Sequence, residues 1–189
     1  MPEGLTFEEA TRYPSVVETA LRVLREVGVR PGQTLLVSGA SGGVGSAVLQ
    51  IARERGVTVM GTAGAANQDC LRRLGALATT YGEGWAERVR RLGRVDAALD
   101  MAGAGVLRDL VELTGDPCKV FSIADLGAPD HGVRFSFFGA AGSMPDALAE
   151  ATDLVTRGKL HIPVEQSYPS RRSRRPTSTA GRGMRGGGG

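Results

Sequence analysis

Residues 39–45, Gly-Ala-Ser-Gly-Gly-Val-Gly, form the constellation in this chain whose spacing suits chemistry on a ligand. Ala40, Gly42 and Gly45 occupy the three small positions of a G-x-G-x-x-G loop. Small residues there let the backbone approach a pyrophosphate closely. A helix starting at the loop turns unpaired N–H groups and the positive end of its dipole toward the same anion. Other chemistries lack their residues. His131 and His161 lie far apart with no third ligand near them, and Cys70 and Cys118 are isolated, so no zinc or other metal site is expected. Ser41 sits in the turn without a G-x-S-x-G elbow, which excludes a hydrolase nucleophile of that type. The catalytic residues are unknown. Hydride transfer asks little of the protein beyond positioning, because a dinucleotide carries the chemistry.

The elements around the loop are the ones such a site needs. Leu35, Leu36 and Val37 form an apolar strand before it, and Val44, Val48, Leu49, Ile51 and Ala52 recur at helical spacing after it. Upstream, Thr6 and Glu9 have capping-box spacing, Pro14 reads as the opening of a helix, and apolar residues recur at three and four over 16–27. Gly28 ends that helix. Downstream, strands are expected at 57–61, 79–81, 95–100, 119–123 and 133–138. Helices are expected at 69–74, 85–92, within 103–113 and at 145–157, with 62–67 a small-residue loop. Strands alternating with helices imply an α/β fold: a Rossmann-type, doubly wound parallel sheet in a single domain, with ligands at the carboxyl edge of the strands.

The end of the second strand selects the cofactor. An NAD-type site usually places an acid there to hold the ribose hydroxyls. Gly61-Thr62-Ala63-Gly64 offers none, so NADP(H) is favoured over NAD(H). Thr62, Asn67 and Tyr81 are candidate donors to a 2′-phosphate. Arg72 and Arg73 are candidate charges, with a solvated helix face as the simpler reading of each arginine. Asp100 ends the fourth strand and Ser122 lies in the fifth, both at the edge where a nicotinamide would lie. Asp100 reads equally well as the N-cap of the next helix.

Composition narrows the classes further. The net charge of +3 comes from six arginines in residues 170–189, a stretch without acids; the rest of the chain is mildly acidic. No run is long and apolar enough to span a membrane, and no secretory signal opens the chain. With two isolated cysteines, a cytoplasmic setting is expected. Three segments result: a lead-in over 1–13, a dinucleotide-binding domain over 14–169, and a basic Gly/Arg-rich tail over 170–189 that is expected to be disordered. The arginine run of the tail has no aromatic neighbours for stacking, so nucleic acid is not the expected partner.

Residues 2–168 resemble the nucleotide-binding half of the medium-chain dehydrogenase/reductase superfamily, in its zinc-free, quinone-oxidoreductase-like branch. The matching stretches are PEGLTFEEA, GVRPGQTLLVSGASGGVGSAVLQIA, GTAGAANQDCLRRLGA, VDAALDMAG and GKLHIPVEQSYP. The chain departs from the pattern at Gly64 and Ala66, where relatives often carry Ser and Arg. The resemblance implies a Rossmann-type domain that works with a GroES-like catalytic domain, of which residues 1–13 are the lead-out. It implies NADPH-dependent reduction of a quinone, enone or similar carbonyl compound once such a domain completes the site. By position it assigns Ser41, Gly42, Gly43 and Val44 to the pyrophosphate, and Thr62, Asn67 and Tyr81 to the adenosine side. Ala102, Gly103, Ser122 and Ile123 fall at the nicotinamide-ribose edge. Thr19 matches a threonine that lies near the nicotinamide in relatives. It also implies a homodimer through the strand at 133–138, against a simple buried last strand.

The same comparison bears on the tail. The resemblance implies a Leu-Ala-Glu-Ala-type helix past the position of Pro169, and with suitably chosen GC-rich codons a one-nucleotide shift can turn the arginine run into such a sequence. The tail therefore reads as a frameshifted C-terminus. The chain as a whole reads as the NADP(H)-binding domain of a zinc-independent oxidoreductase, incomplete by itself. The alternatives are a non-enzymatic dinucleotide-binding module and an inactive truncated product.

Overall fold

The computed structural model describes residues 7–137 and 144–162. The tail at 170–189, residues 1–6 of the lead-in and Phe138 lie outside the described residues. Six strands make one parallel sheet in the order β3-β2-β1-β4-β5-β6. They are β1 (Thr34–Ser38), β2 (Thr58–Ala63), β3 (Leu77–Thr80), β4 (Ala97–Asp100), β5 (Val120–Ser122) and β6 (Arg134–Phe135). The helices are α1 (Phe7–Val27), α2 (Gly43–Glu54), α3 (Gln68–Arg73), α4 (Trp85–Leu92), α5 (Leu107–Thr114) and α6 (Met144–Thr156). The chain winds outward from β1 in one direction through β2 and β3, then returns to β4 on the other side. The order reverses between β1 and β4, and a crevice opens at the carboxyl edge there.

Period-two alternation of the strands builds two cores. Leu35, Val37, Ala97, Leu99 and Phe121 face α1, α2 and α6, while Leu36, Ala98 and Val120 face Trp85, Val89, Leu107 and Leu110 of α4 and α5. Against the sheet and the neighbouring α1, helix α2 is buried along its length from Gly45 to Ala52. Gln50 fastens the chain beyond α6 to it: its amide donates to the His161 carbonyl at 2.9 Å and accepts from the His161 N–H at 2.9 Å.

Element boundaries differ from the sequence expectations in instructive places. Helix α1 starts at Phe7, immediately after Thr6, so it takes in residues expected in the lead-in, and Pro14 lies inside it. A proline loses its N–H and crowds the preceding turn. Here the apolar stripe packed on α2 carries the helix through that position. Strand β2 runs on through Thr62 and Ala63, because both pair with β3 and Thr62 also pairs with Ser38 of β1. The β6 ladder is two residues long, where 133–138 was expected.

The turn after β1 sets the position of α2. Gly39 has φ +75°, a conformation glycine adopts without strain. The first turn of α2 then lies directly on it. A Cβ at Gly45 would fall 2.5 Å from the Gly39 carbonyl oxygen and 2.8 Å from the Ala40 Cα. Both are backbone atoms and cannot swing aside. Gly45→Ala is therefore expected to destabilise the chain by about 2–3 kcal/mol through overpacking. Urea unfolding checks this, and an unchanged midpoint would contradict the packing described.

Candidate functional site

At the reversal of strand order lies a cavity of about 490 Å³. Ser38, Gly39 and Ser41 line it from the end of β1, and Thr62 and Ala63 from the end of β2. Tyr81, Gly82 and Trp85 come from the β3–α4 turn. Ala102, Ala104, Gly105, Val106 and Asp109 come from the β4–α5 connection and the first turn of α5. Four consecutive strand ends thus converge on one space.

Backbone hydrogen bonds hold the rim together. The Ala40 N–H donates to the Thr62 carbonyl at 3.0 Å, and the Met101 N–H donates to the Ser38 carbonyl at 3.0 Å. These two bonds tie the glycine turn to its neighbours on both sides. Helix α2 begins at Gly43 with no side chain capping it and no acid in its first turn. Its first N–H groups have no intrahelical acceptor, so the turn presents donors and a dipole's positive end. The residues therefore fit an anionic dinucleotide: a small-residue loop, open N–H groups and a largely apolar slot beside them.

Asp100 is not the N-cap of the next helix. It is fully buried, and α5 starts seven residues later, at Leu107. Its Oδ1 accepts from the Ala102 N–H at 3.1 Å and the Gly103 N–H at 3.0 Å, and its Oδ2 accepts from the Ser122 hydroxyl at 2.9 Å. Ser122 is also fully buried, and its Oγ accepts from the N–H groups of Ala124 and Asp125 at 3.1 and 2.9 Å. One buried carboxylate and one buried hydroxyl thus shape both turns at the ends of β4 and β5.

The structure places the sequence-selected residues as follows. Ser41, Thr62, Tyr81 and Ala102 line the cavity. Asn67 reaches the same rim, its amide donating to Ser41 Oγ at 3.4 Å. Gly42, Gly43 and Val44 form the start of α2 beside the cavity. Gly103 has φ +64°, and a Cβ there would fall 2.8 Å from the Ala124 carbonyl oxygen. Ser122 and Ile123 lie under the edge, where Ile123 packs against the core and its N–H donates to the Asp100 carbonyl at 3.1 Å. Thr19 lies on α1, with its hydroxyl donating to the Ser15 carbonyl. Arg72 pairs with Asp69 at 2.7 Å on an exposed helix face, and neither Arg72 nor Arg73 lines the cavity. Among the described residues, no group of three His, Cys, Asp or Glu side chains could hold a metal ion. No helix among them is long and apolar enough to cross a membrane.

Three contributors escaped sequence reasoning. Trp85, the sole tryptophan, forms part of the wall and donates from Nε1 to Asp109 Oδ2 at 2.8 Å. Arg88 braces the turn beneath Tyr81, donating to the carbonyls of Thr80, Tyr81 and Glu83 at 3.1, 3.3 and 2.8 Å. These residues belong to helices whose sequence looks like an ordinary amphipathic surface. Only the fold brings α4 and α5 together behind the strand ends.

No family model matches the chain. Relatives and solved structures do. The chain is 35% identical over 197 residues to the pikromycin polyketide synthase component PikAII of Streptomyces venezuelae, an alignment that covers 92% of this chain and 5% of the relative. It is 45% identical over 74 residues to the medium chain reductase pydE of Acremonium sp, covering 39% of this chain and 20% of the relative. Among solved structures, the quinone oxidoreductase from Coxiella burnetii superposes with a TM-score of 0.70 at 26% identity, over 86% of this chain and 53% of that one. The chain therefore spans about half of that oxidoreductase and a small part of the polyketide synthase. With its sheet order and glycine turn, the chain belongs to the medium-chain dehydrogenase/reductase superfamily, and what it carries is the nucleotide-binding half.

The buried pair of Asp100 and Ser122 yields a stability prediction. Asp100→Ala strands two N–H groups and a hydroxyl, and is expected to cost about 3 kcal/mol or more. Ser122→Ala should cost less, about 1–2 kcal/mol, because Asp100 keeps its two backbone donors. Urea unfolding of both variants checks the order, and a reversed order would contradict the network.

Proposed function

We propose that this chain is the NADP(H)-binding half of an oxidoreductase that passes hydride to the electron-poor carbon of an enone, an enoyl compound or a quinone. The observation that carries the cofactor choice is the end of β2. Ala63 and Gly64 stand where an NAD-type site places its acid, and Thr62, Asn67 and Tyr81 surround that point. The carboxylate that does line the cavity, Asp109, comes from α5 and not from β2.

When bound, the reduced cofactor would supply the hydride, and the electron-poor carbon of the substrate would accept it. The chain's own residues do the holding. The open N–H groups at the start of α2 would hold the pyrophosphate. Ala102 and the turn shaped by Asp100 and Ser122 bound the nicotinamide side. Similarity to a polyketide synthase component, a medium chain reductase and a quinone oxidoreductase supports a conjugated carbonyl as the acceptor. A GroES-like domain would supply the remaining substrate wall, and the two free cysteines agree with a cytoplasmic setting. A non-enzymatic dinucleotide-binding module is the second reading, because no side chain lining the cavity is a base or nucleophile placed for catalysis beyond Tyr81 and Asp109.

The reading includes a homodimer through the sheet edge at 133–138. There Phe137 is 61% exposed and its ring lies 4.7 Å from that of Phe135, while the Arg134 guanidinium covers the Phe121 ring at 4.0 Å. Sedimentation of the full chain should show a dimer that Phe137→Glu converts to monomer. A monomeric wild-type chain at micromolar concentration would contradict it.

Calorimetric titration with NADPH and NADH tests the cofactor reading. NADPH should bind at least about tenfold more tightly, a difference of about 1.4 kcal/mol. Binding of neither at millimolar concentration would refute it, and tighter binding of NADH would refute the choice of NADP(H).

A further inference from the structure

The lining of the cavity includes a single carboxylate, that of Asp109 in the first turn of α5. Its Oδ2 is taken by the Trp85 indole at 2.8 Å. An indole nitrogen only donates, so the direction of that bond is fixed. Among the described residues, Oδ1 has no hydrogen-bond partner and no arginine or lysine pairs with the group. Oδ1 of this half-buried carboxylate is left open to accept a hydrogen bond, and the part of the slot beside it, with Ala104 and Val106 on its walls, offers apolar surface suited to a flat ring.

Resting on the cofactor reading above, we propose that Asp109 is the residue that selects the purine base of the dinucleotide, taking a 6-amino purine and rejecting a 6-oxo purine. An exocyclic amine donates to the free Oδ1. A 6-oxo group would set oxygen lone pairs against it. A site built to hydrogen-bond a substrate group discriminates well because a bound base displaces water from the polar partner and the wrong group leaves it unpaired. The alternative is that Asp109 exists only to satisfy the Trp85 indole.

Asp109→Asn separates the two. The indole still needs an acceptor, so the amide oxygen must face Trp85. The amide nitrogen, a donor, then faces the cavity. Packing and the indole bond are kept while the character seen by the base is inverted.

The experiment is calorimetric titration of the full chain and of Asp109→Asn with NADPH and with its hypoxanthine analogue, whose purine carries a 6-oxo group and an N1–H in place of the 6-amino group and bare N1. The wild-type chain is expected to prefer NADPH by roughly tenfold or more. In Asp109→Asn that preference should disappear or reverse toward the hypoxanthine analogue. Equal affinity of the wild-type chain for the two cofactors overturns the inference alone and needs no variant. A wild-type preference for NADPH that survives undiminished in Asp109→Asn also overturns it. If the wild-type chain binds neither, the cofactor reading fails and this inference falls with it.

Discussion

Among the described glycines, Gly45 has the least room for a side chain, and the site depends on its contact with the turn it rests on. With the would-be Cβ 2.5 Å from the Gly39 oxygen, α2 sits as near to the end of β1 as a helix can. That nearness has two results. It lets α2 bury every residue from Gly45 to Ala52 against the sheet and the neighbouring α1, which anchors the helix. It also aims the uncapped start of α2 across the strand ends. The same glycine allows the close packing and leaves the N–H groups at the start of α2 open. Gly61 extends the effect to β2, since a Cβ there would fall 2.9 Å from that of Ala40.

The other side of the crevice is built differently. Where β1 uses absence of side chain, β4 and β5 use a buried carboxylate and a buried hydroxyl. Asp100 and Ser122 satisfy four backbone N–H groups in the turns that follow their strands, and each other. Such a network is rigid when complete and costly when broken. The α4 and α5 helices then close the floor, joined by the Trp85–Asp109 bond, so both faces of the sheet contribute to one cavity.

Much of this was readable in the residues. The glycine turn, the alternating strands and the run at 85–92 declare themselves, because local spacing and burial agree there; α4 is bounded at Trp85 and Leu92 as the pattern indicates. Pro14 misled because the proline rule concerns the isolated helix, whereas α1 is held by tertiary packing. The strand at 133–138 was overread because alternation of Phe and Ser does not reveal how far a neighbour runs, and β5 supplies only three residues to pair with. Asp100 was ambiguous because an acid ending a strand has several backbone donors within reach, and only the fold chooses among them. Trp85 and Asp109 were invisible as site residues: they lie 24 positions apart on different helices. Nothing in either helix alone points to the other.

The central claim is that a dinucleotide lies across these four strand ends, with its pyrophosphate at the start of α2. The most direct test is amide chemical-shift mapping of the full chain during addition of NADPH. The account predicts the largest shifts at Gly42, Gly43 and Val44, with further shifts at Thr62, Gly82 and Ala102. Shifts confined to the edge around Arg134 and Phe137, with the start of α2 unmoved, would contradict it.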